Sequence, residues 1–487
     1  MLTRKGFIGN ALAALGFTAL PGGFLFAAPK GWSHGGTPNL VFGAVSDTHL
    51  RTTRKGEGIG SCWPDKYFVA ALEYFKSCNA DAVVHCGDMA HRGQTREMEF
   101  HAEAWRRVFD CGREPVKLFV AGNHDVEGST YGDFVANRYQ DMEERARHVL
   151  STDMAANWER IWGEKYEPVW HKEVKGYHFF GRHWGVDEEE FAKMLEEGKE
   201  RCRLAEGVSP FFLLSHARPH EALRKRVAKL RNAVSFFGHW HRSAANWNEI
   251  YMLDGAVVQI PACEPRGVLA LSGDEYIAHA PLEGANGAGL ARQGYVVRVY
   301  DDMLTIERRE FGEGGRLGAD WIMPLGQFNP HPFSKGELKK VIGEPQFCEN
   351  ASLEVFLDKI EKAADNNPVN PVQDDSASPR LTPLATAIAA RSARGIRVRI
   401  PLADGNPDSR VYAYEVVVVG DDASKKLFKA VYAAGCNLGI GHEPNGGVTT
   451  LEIAASELPP GKRLTIAARP LTSLGTSGRP IATEFKA

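Results

Sequence analysis

The chain lacks the features that mark several protein classes. Its eight cysteines are scattered without a CxxC pair, which argues against a thiolate zinc site or a redox pair, and most are predicted to be small core residues. Lys plus Arg number 58 against 61 Asp plus Glu, a formal charge of -3, so no overall basic field attracts a nucleic acid polymer. No apolar segment beyond residue 28 is long enough to span a membrane. Any anionic ligand must therefore be bound by a local site.

The composition is that of a globular protein. Hydrophobic residues make up 43% and charged residues 24% of the 487 positions, and this length allows two or three folded units. No internal repeat is present in the sequence. Changes of pattern divide the chain into four parts, which are residues 1–34, 35–330, 331–383 and 384–487.

The first part, 1–34, resembles an export signal followed by a short lead. A positive head, Arg4-Lys5, precedes an apolar stretch rich in Ala, Leu and Gly that continues to about Leu20. The head resembles the twin-arginine pattern, with Lys5 in place of the second arginine. Two interpretations remain: a cleaved signal, which places the protein in the periplasm or outside the cell, and an uncleaved N-terminal membrane anchor over residues 7–28. Cleaved export is the favoured interpretation.

Polar clusters follow five apolar runs between residues 39 and 311. Each run is predicted to be a strand, and the runs are residues 40–45, 82–84, 116–120, 211–214 and 234–237. Helical spacing between them predicts helices over residues 67–76, 97–109, 191–201 and 221–230. Strand followed by helix, repeated, predicts an α/β fold with a largely parallel or mixed sheet covered by helices. Ligands bind beyond the carboxyl ends of such strands, so we expect the polar clusters to meet at that edge.

The pattern changes after this region. Residues 257–261, 295–300 and 303–310 are predicted strands that complete the sheet. A helix-like stretch, 353–364, leads into residues 366–383, whose Pro, Asn, Asp and Ser content predicts a linker. Short strands separated by Gly, Pro, Asn and Asp then predict a small antiparallel β-sandwich, with strands over residues 396–402, 411–419, 427–432, 448–454 and 464–469.

The polar clusters contain side chains of the metal-ligand type. They are imidazoles, carboxylates and one amide, a set that suits Fe, Mn, Zn or Co better than Cu(I) or an iron–sulfur cluster. Seven such ligands can serve two ions if one carboxylate bridges, and ions about 3.5–4 Å apart can activate water for phosphoryl displacement. Singly, each residue has an ordinary explanation as a cap, a turn former or a core histidine, but together they would be costly to bury without cations. The candidates are Asp47, His49, Asp88, Asn123, His216, His239 and His241.

The order of these motifs resembles the calcineurin-like metallophosphoesterase superfamily. The matching segments are Asp47-Thr48-His49, Gly87-Asp88, Gly122-Asn123-His124-Asp125, His216 and Gly238-His239-Trp240-His241. The resemblance covers residues 39–311. It implies a metallophosphoesterase-type α/β (α+β) fold for residues 35–330, a β-sandwich flanked by helices, which residues 331–383 connect to a C-terminal β-sandwich domain at 384–487.

The resemblance also implies a role for each residue. The cofactors would be two divalent or trivalent transition metal ions, with Mn, Fe or Zn expected. A metal-bound hydroxide would be the nucleophile, and His124 would contact the phosphate and protonate the leaving oxygen. One ion would be bound by Asp47, His49, Asp88 and His241, and the other by Asp88, Asn123, His216 and His239, with Asp88 bridging.

Two further catalytic candidates lie near a departure from the family pattern. Residues 87–93 resemble the GDxxDRG form of the protein-phosphatase branch, but His91 replaces the aspartate that steadies the catalytic histidine there. The same histidine replaces the tyrosine ligand expected in the purple acid phosphatase branch. Asp125 follows His124 directly and is a candidate for that support. Arg92 either contacts a phosphate oxygen or forms a structural salt bridge.

The expected activity is metal-dependent hydrolysis of a phosphate mono- or diester on a small molecule or a surface. One alternative is a cell-surface binding module with a vestigial metal site, in which the C-terminal sandwich binds the partner. Another is a phosphodiesterase of the same superfamily that acts on cyclic nucleotides or other small diesters. The near-neutral charge disfavours a nucleic acid polymer as partner, and the sequence indicates no oligomeric state.

Overall fold

A computed structural model gives the fold of most of the region from residue 36 to residue 324 and of strands near the C-terminus. The predicted export signal, the predicted helix 353–364 and the predicted linker 366–383 lie outside the described residues. The described residues are 36–50, 63–127, 141–206, 209–227, 230, 232–239, 244, 251–253, 257–261, 282–283, 292–301, 303–311, 315–317, 320–324, 388–392, 395–401, 411–420, 426–433, 448–472 and 481–486.

Strands and helices alternate along the first part of this region, as the sequence predicts. In chain order they are β1 (Leu40–Val45), α1 (Trp63–Ser77), β2 (Ala82–His85), α2 (Thr95–Phe109), β3 (Val116–Phe119), α3 (Asn123–Val126), α4 (Met142–His148), α5 (Met154–Trp162), β4 (Val169–Val174), β5 (Tyr177–Arg182), α6 (Glu188–Arg201), β6 (Phe211–Ser215), α7 (Glu221–Val227) and β7 (Ala233–Phe237). Shorter elements and a hairpin follow, namely β8 (Tyr251–Leu253), β9 (Val257–Pro261), β10 (Leu282–Glu283), β11 (Gln293–Val299), β12 (Met303–Glu310), β13 (Gly315–Arg316) and β14 (Trp321–Pro324).

The strands form two mixed sheets rather than the single sheet expected from strand–helix alternation. Sheet A has the order β13-β12-β11-β1-β2-β3, with β14 also paired to β12, and its β1, β2 and β3 are parallel. Sheet B has the order β4-β5-β6-β7-β9-β8, and its β5, β6, β7 and β9 are parallel. The carboxyl ends of both parallel sets carry the polar clusters.

The two sheets pack face to face. Successive side chains of a strand point to opposite faces, so Phe42 points between the sheets while its neighbours Val41 and Gly43 point away. The Phe42 ring meets three rings of sheet B edge-on, at centroid distances of 5.0 to 5.7 Å. Those rings belong to Phe179, Phe212 and Phe236.

Helices cover the outer face of each sheet. Val41 and Val45 of β1 pack with one face of α1, where Phe68, Leu72 and Phe75 recur at helical spacing. On sheet B, alternate residues of β5 and β6 pack under α6 and α7. The side chain of Asp187 caps the start of α6 by accepting the Glu189 N–H. These four layers confirm the predicted α/β class with a β-sandwich flanked by helices.

The C-terminal strands are antiparallel among themselves, as predicted. They are β15 (Ile388–Ser392), β16 (Gly395–Pro401), β17 (Val411–Gly420), β18 (Lys426–Tyr432), β19 (Val448–Ala454), β20 (Arg463–Thr472) and β21 (Ile481–Lys486). One sheet has the order β15-β16-β19 and the other β10-β18-β17-β20-β21. Since β10 belongs to the range predicted for the first domain, a short piece of that range pairs with the C-terminal strands.

Two features of the region were not expected from the sequence. The β4–β5 hairpin forms one edge of sheet B. In the sequence, α4 and α5 come after β3 of sheet A and before β4 of sheet B. Among the residues that the structure describes, no helix is both long and apolar enough to cross a bilayer.

Candidate metal centre

Three ligand candidates follow three neighbouring strands of sheet A. Asp47 follows β1, Asp88 follows β2, and Asn123 begins α3 after β3. Because the three strands are parallel and adjacent, their carboxyl ends meet at one edge. Backbone bonds connect the first two loops: the Asp47 N–H donates to the Gly87 carbonyl and the His49 N–H to the Asp88 carbonyl, both at 2.9 Å.

The backbone at this edge is strained. Eight described non-glycine residues have a positive φ, and four of them are ligand candidates. Such conformations cost about 1–3 kcal/mol each and concentrate at functional sites. The four are Asp47 (53°), His49 (44°), Asp88 (55°) and His239 (73°).

Sheet B contributes two imidazoles. His216 follows β6 and is fully buried, whereas His239 follows β7 and is exposed. The His239 N–H donates to both carboxylate oxygens of Asp47, at 3.1 and 3.0 Å, and this contact connects the two sheets across the edge. The site is therefore assembled from five chain segments on two facing sheets.

The Asp88 carboxylate lies at the centre of the site. Its Oδ1 accepts the His124 N–H at 2.8 Å, which fixes the orientation of the carboxylate. Its Oδ2 is 3.2 Å from Nε2 of His216 and 3.6 Å from Nε2 of His49. The side chains fall into two triplets that share this residue, Asp47-His49-Asp88 and Asp88-His216-His239, with ligand atoms within 4.8 Å of one another in each.

The donor set fits cations. Nδ1 of His216 donates to the Cys86 carbonyl at 2.7 Å, so the neutral ring presents a lone pair at Nε2. That lone pair faces Oδ2 of Asp88 and, at 2.8 Å, Oδ1 of Asn123. Burial lowers the pKa of His216, but the charge of Asp88 and its hydrogen bond outweigh burial and raise the pKa to about 9. A positive charge between these groups is thus favourable, and a metal ion bound there would supply it.

Two glycines make room for the ligands. A Cβ on Gly122 would collide with Oδ1 and the backbone nitrogen of Asp88. A Cβ on Gly238 would collide with the Ser46 hydroxyl and lie 2.6 Å from Oδ2 of Asp47. A side chain at either glycine would therefore collide with the carboxylate of a ligand candidate.

His124 faces the site through Nε2. Its Nδ1 donates to the His91 carbonyl at 2.7 Å, and its Nε2 lies 3.9 Å from Oδ2 of Asp88. The backbone of His91 thus orients the imidazole at the position where the resembling branch has an aspartate. The side chain is 15% exposed, so it borders the solvent side of the centre.

Asp125 is buried beneath the site, whereas Arg92 lies at the surface. The buried Asp125 carboxylate accepts the N–H groups of Gly122, Met89 and Ala90, so its contacts are with backbone rather than with the His124 ring. Burial first, and then the charge of Asp88, raise the pKa of Asp125 to about 7. Arg92 is exposed, and its N–H donates to Glu97.

A buried polar network supports the turn between Asp47 and His49. The Thr48 hydroxyl lies 3.1 Å from Nε2 of His85 and 3.0 Å from Nε2 of His101. Burial lowers the pKa of His85 to about 3 and that of His101 well below its usual value, so both rings are neutral. The three side chains fill the space under the turn. No sequence motif singles out His101, because it lies within α2.

Trp184 is a residue beside the site that no sequence motif singles out. Its ring centroid lies 5.4 Å from that of His239 and 5.6 Å from that of His216, and its indole N–H donates to Glu127. The Trp184 N–H donates to the Ala121 carbonyl at 2.9 Å, which holds it beside the Asn123 loop. The predicted ligand His241 lies outside the described residues.

The comparison with protein families agrees with this geometry. Residues 40–243 match the model of the calcineurin-like phosphoesterases, and every ligand candidate falls within the match. Residues 40–243 are therefore the part of the chain that is similar to the calcineurin-like phosphoesterase family. No curated protein matches the chain.

Several solved structures are similar to part of this chain. A dimetal phosphatase from Danio rerio is 11% identical with a TM-score of 0.32, over 59% of this chain and 100% of that one. A purple acid phosphatase from yellow lupin (Lupinus luteus) seeds is 12% identical with a TM-score of 0.36, over 59% and 55%. A 5'-nucleotidase precursor from Thermus thermophilus is 15% identical with a TM-score of 0.30, over 60% and 56%.

Proposed function

We propose that this protein hydrolyses phosphate esters of small molecules or surfaces at a dinuclear metal centre. The observation that carries the proposal is the pair of ligand triplets that share Asp88. One shared carboxylate between two sets of imidazole and carboxylate ligands is the arrangement expected for two neighbouring ions.

The ligands divide between two ions as follows. Asp47 and His49 would bind one ion together with Asp88, and Asp88, Asn123, His216 and His239 would bind the other, with His241 proposed to complete the first set. When bound, the ions supply an activated water and neutralise charge on the phosphoryl oxygens. With two carboxylates and neutral imidazoles, two divalent ions leave a net positive site, which attracts an anionic ester.

His124 is proposed to protonate the leaving oxygen. Because Nδ1 donates to the His91 carbonyl, the proton available for transfer is the one on Nε2 of the imidazolium. The Asp88 carboxylate lies 3.9 Å from this nitrogen. Asp125 holds the loops of Asp88 and Asn123 in place through its three backbone contacts.

Metal-dependent turnover tests the proposal. The purified full chain is assayed with p-nitrophenyl phosphate and bis-p-nitrophenyl phosphate, after chelation and again after addition of Mn²⁺ or Zn²⁺. Asp88→Asn should remove both activity and bound metal, whereas Asp153→Asn should retain both, because Asn still caps α5.

Each outcome has a clear meaning. Turnover of the monoester alone or the diester alone assigns the class of ester. About two ions per chain without turnover of any phosphoester would overturn the hydrolase proposal. Failure to bind metal would favour a binding module with a vestigial site.

We also propose that the N-terminal segment directs export. The positive head and apolar stretch of residues 3–20 motivate this proposal. Fractionation of a bacterial host that expresses the full chain should recover a shortened protein in the periplasm, and Arg4→Gln with Lys5→Gln should retain it in the cytoplasm. Full-length protein in the membrane fraction would identify the segment as an anchor instead.

We propose that residues 384–487 form a separate domain after the connecting segment 331–383. Limited proteolysis of the full chain should then cleave first within 331–383. First cleavage within 384–487 would contradict this division.

A further inference from the structure

A second group of ligand-type side chains lies away from the dinuclear centre. It consists of His171 on β4, His178 on β5 and Cys202, which follows α6. His178 is near the amino end of β5, and the dinuclear centre borders the carboxyl end. Arg182, at the carboxyl end of β5, is four positions after His178, so the second group lies roughly 13 Å along the strand from the edge that carries the dinuclear centre.

Strand register brings the two histidines together. Residues directly opposite in an antiparallel pair share a face, and His171 is opposite Phe180 while His178 is opposite Glu173. The two histidines are therefore diagonal neighbours on the face that α6 covers. The His171 ring stacks on Phe180 with centroids 4.5 Å apart, which fixes its orientation.

The distances suit a tetrahedral ion. Nε2 of His171 lies 3.1 Å from Nδ1 of His178 and 3.8 Å from Sγ of Cys202, and the three atoms are within 4.8 Å of one another. A tetrahedral zinc ion, with bonds of about 2.05 Å to nitrogen and about 2.3 Å to sulfur, separates two nitrogens by about 3.3 Å and nitrogen from sulfur by about 3.6 Å. The two distances from His171 differ from these values by about 0.2 Å each.

The surroundings allow an ion to enter and complete its coordination. A cavity of about 180 Å³ borders His178 and Cys202, with room for a water molecule. Glu173, the exposed cross-strand partner of His178, is the nearest candidate for a fourth protein ligand. Arg201 donates to Nδ1 of His171 at 3.4 Å, but it is exposed, so it can turn to solvent when metal binding at Nε2 places the ring proton on Nδ1.

We propose that His171, His178 and Cys202 bind one zinc ion that fastens the β4–β5 hairpin to the end of α6. Two imidazoles with one thiolate select a borderline-soft ion such as Zn²⁺ over Mn²⁺ or Mg²⁺. This site does not need a CxxC pair, because it uses one thiolate. Its other two ligands are histidines that the pairing of β4 with β5 brings close together. The proposal is independent of the phosphoesterase activity.

Cobalt(II) substitution gives a direct test, because a thiolate ligand produces a sulfur-to-cobalt charge-transfer band that imidazole and carboxylate ligands do not produce. Full-length Asp88→Asn protein is used, so that the dinuclear centre does not compete. Titration with Co²⁺ should produce this band together with the visible bands of tetrahedral cobalt, and Zn²⁺ should abolish them by displacement. No charge-transfer band at saturating Co²⁺ would overturn the proposal.

Matched variants identify the ligands. In the same background, Cys202→Ser should remove the band and about one equivalent of bound zinc, and His178→Gln should weaken zinc binding at least about tenfold. Cys111→Ser is the control, because Cys111 is an exposed free cysteine outside the cluster, and it should change neither. Retention of the band in Cys202→Ser would show that another thiol binds the metal and would contradict the site.

Two readouts distinguish a metal site from simple packing. In the Asp88→Asn background, Zn²⁺ should raise the thermal midpoint of the chain with Cys202 intact by a few degrees and leave that of Cys202→Ser unchanged. Arg201→Gln should tighten zinc binding, because it removes a positive charge from beside His171; weaker binding would contradict the assigned geometry. Cys202→Ser in the otherwise unsubstituted chain should retain phosphoesterase activity.

Discussion

Nε2 of His216 lies 3.2 Å from Oδ2 of Asp88, while the other ring nitrogen of His216 donates to the Cys86 carbonyl. In the neutral ring the Nε2 lone pair therefore faces a carboxylate oxygen. Both groups are buried, so the repulsion is weakly screened. A cation between them would replace the ring proton and make two favourable contacts, so we expect folding and metal binding to be coupled.

Metal removal should lower stability. At a free Mn²⁺ concentration about a hundred times the dissociation constant, binding stabilises the fold by about 2.7 kcal/mol. Chelation should therefore lower the thermal midpoint, and Mn²⁺ should restore it, as followed by circular dichroism. Asp153→Asn should respond like the unsubstituted chain and Asp88→Asn should not. An unchanged midpoint after complete chelation would contradict the coupling.

His124→Gln should lower kcat by about 10²–10⁴, because the proton donor for the leaving oxygen is lost. Metal content should be unchanged, since Asp88 and Asn123 remain. The loss should be smaller for p-nitrophenyl phosphate, whose leaving group needs little protonation, than for an alkyl phosphate. His148→Gln, an exposed histidine on α4, serves as the control. Equal losses for both leaving groups would argue against proton donation.

Thr48→Val should destabilise the fold by about 1–3 kcal/mol, because it leaves two buried imidazoles without their shared hydroxyl. Since Thr48 lies between Asp47 and His49, metal affinity should also fall. Chemical denaturation and metal titration measure the two effects. Thr152→Val, at a partly exposed position, should change neither. Unchanged metal affinity in Thr48→Val would limit the network to a role in stability.

Asp81 should make the fold sensitive to acid. Burial would raise its pKa, but the Val41 N–H, Lys175 and Arg113 together hold it below the usual range. A lowered folded-state pKa contributes stability that is present above the unfolded-state value of about 3.9 and is lost as pH falls through the folded-state pKa.

Asp81→Asn tests this prediction. The substitution should cost about 1–2 kcal/mol at pH 7, and the difference from the unsubstituted chain should shrink below about pH 4. Denaturation curves across this pH range measure the difference. Glu206→Gln, in an exposed pair with Arg203, should show no measurable change at any pH. A difference for Asp81→Asn that is constant with pH would refute the role of its charge.

The sequence by itself determined the local features. Uninterrupted apolar runs determined strands such as β1 and β6, because a fully buried strand needs apolar side chains on both faces. The polar clusters at the strand ends determined the set of candidate ligands. Short turns that contain glycine place Asp88 and Asn123 directly after their strands, so both could be found from the sequence. The hairpin of β4 and β5 escaped prediction because an edge strand such as β4 carries lysine and glutamate among its apolar residues.

Only the tertiary structure decided how these pieces meet. The division of the clusters between two facing sheets, the contact of His239 with Asp47 and the position of Trp184 depend on how sheet B packs on sheet A. The group of His171, His178 and Cys202 depends on strand register and on where α6 ends. Contacts between residues distant in the chain set these relationships, and no local pattern of side chains encodes them.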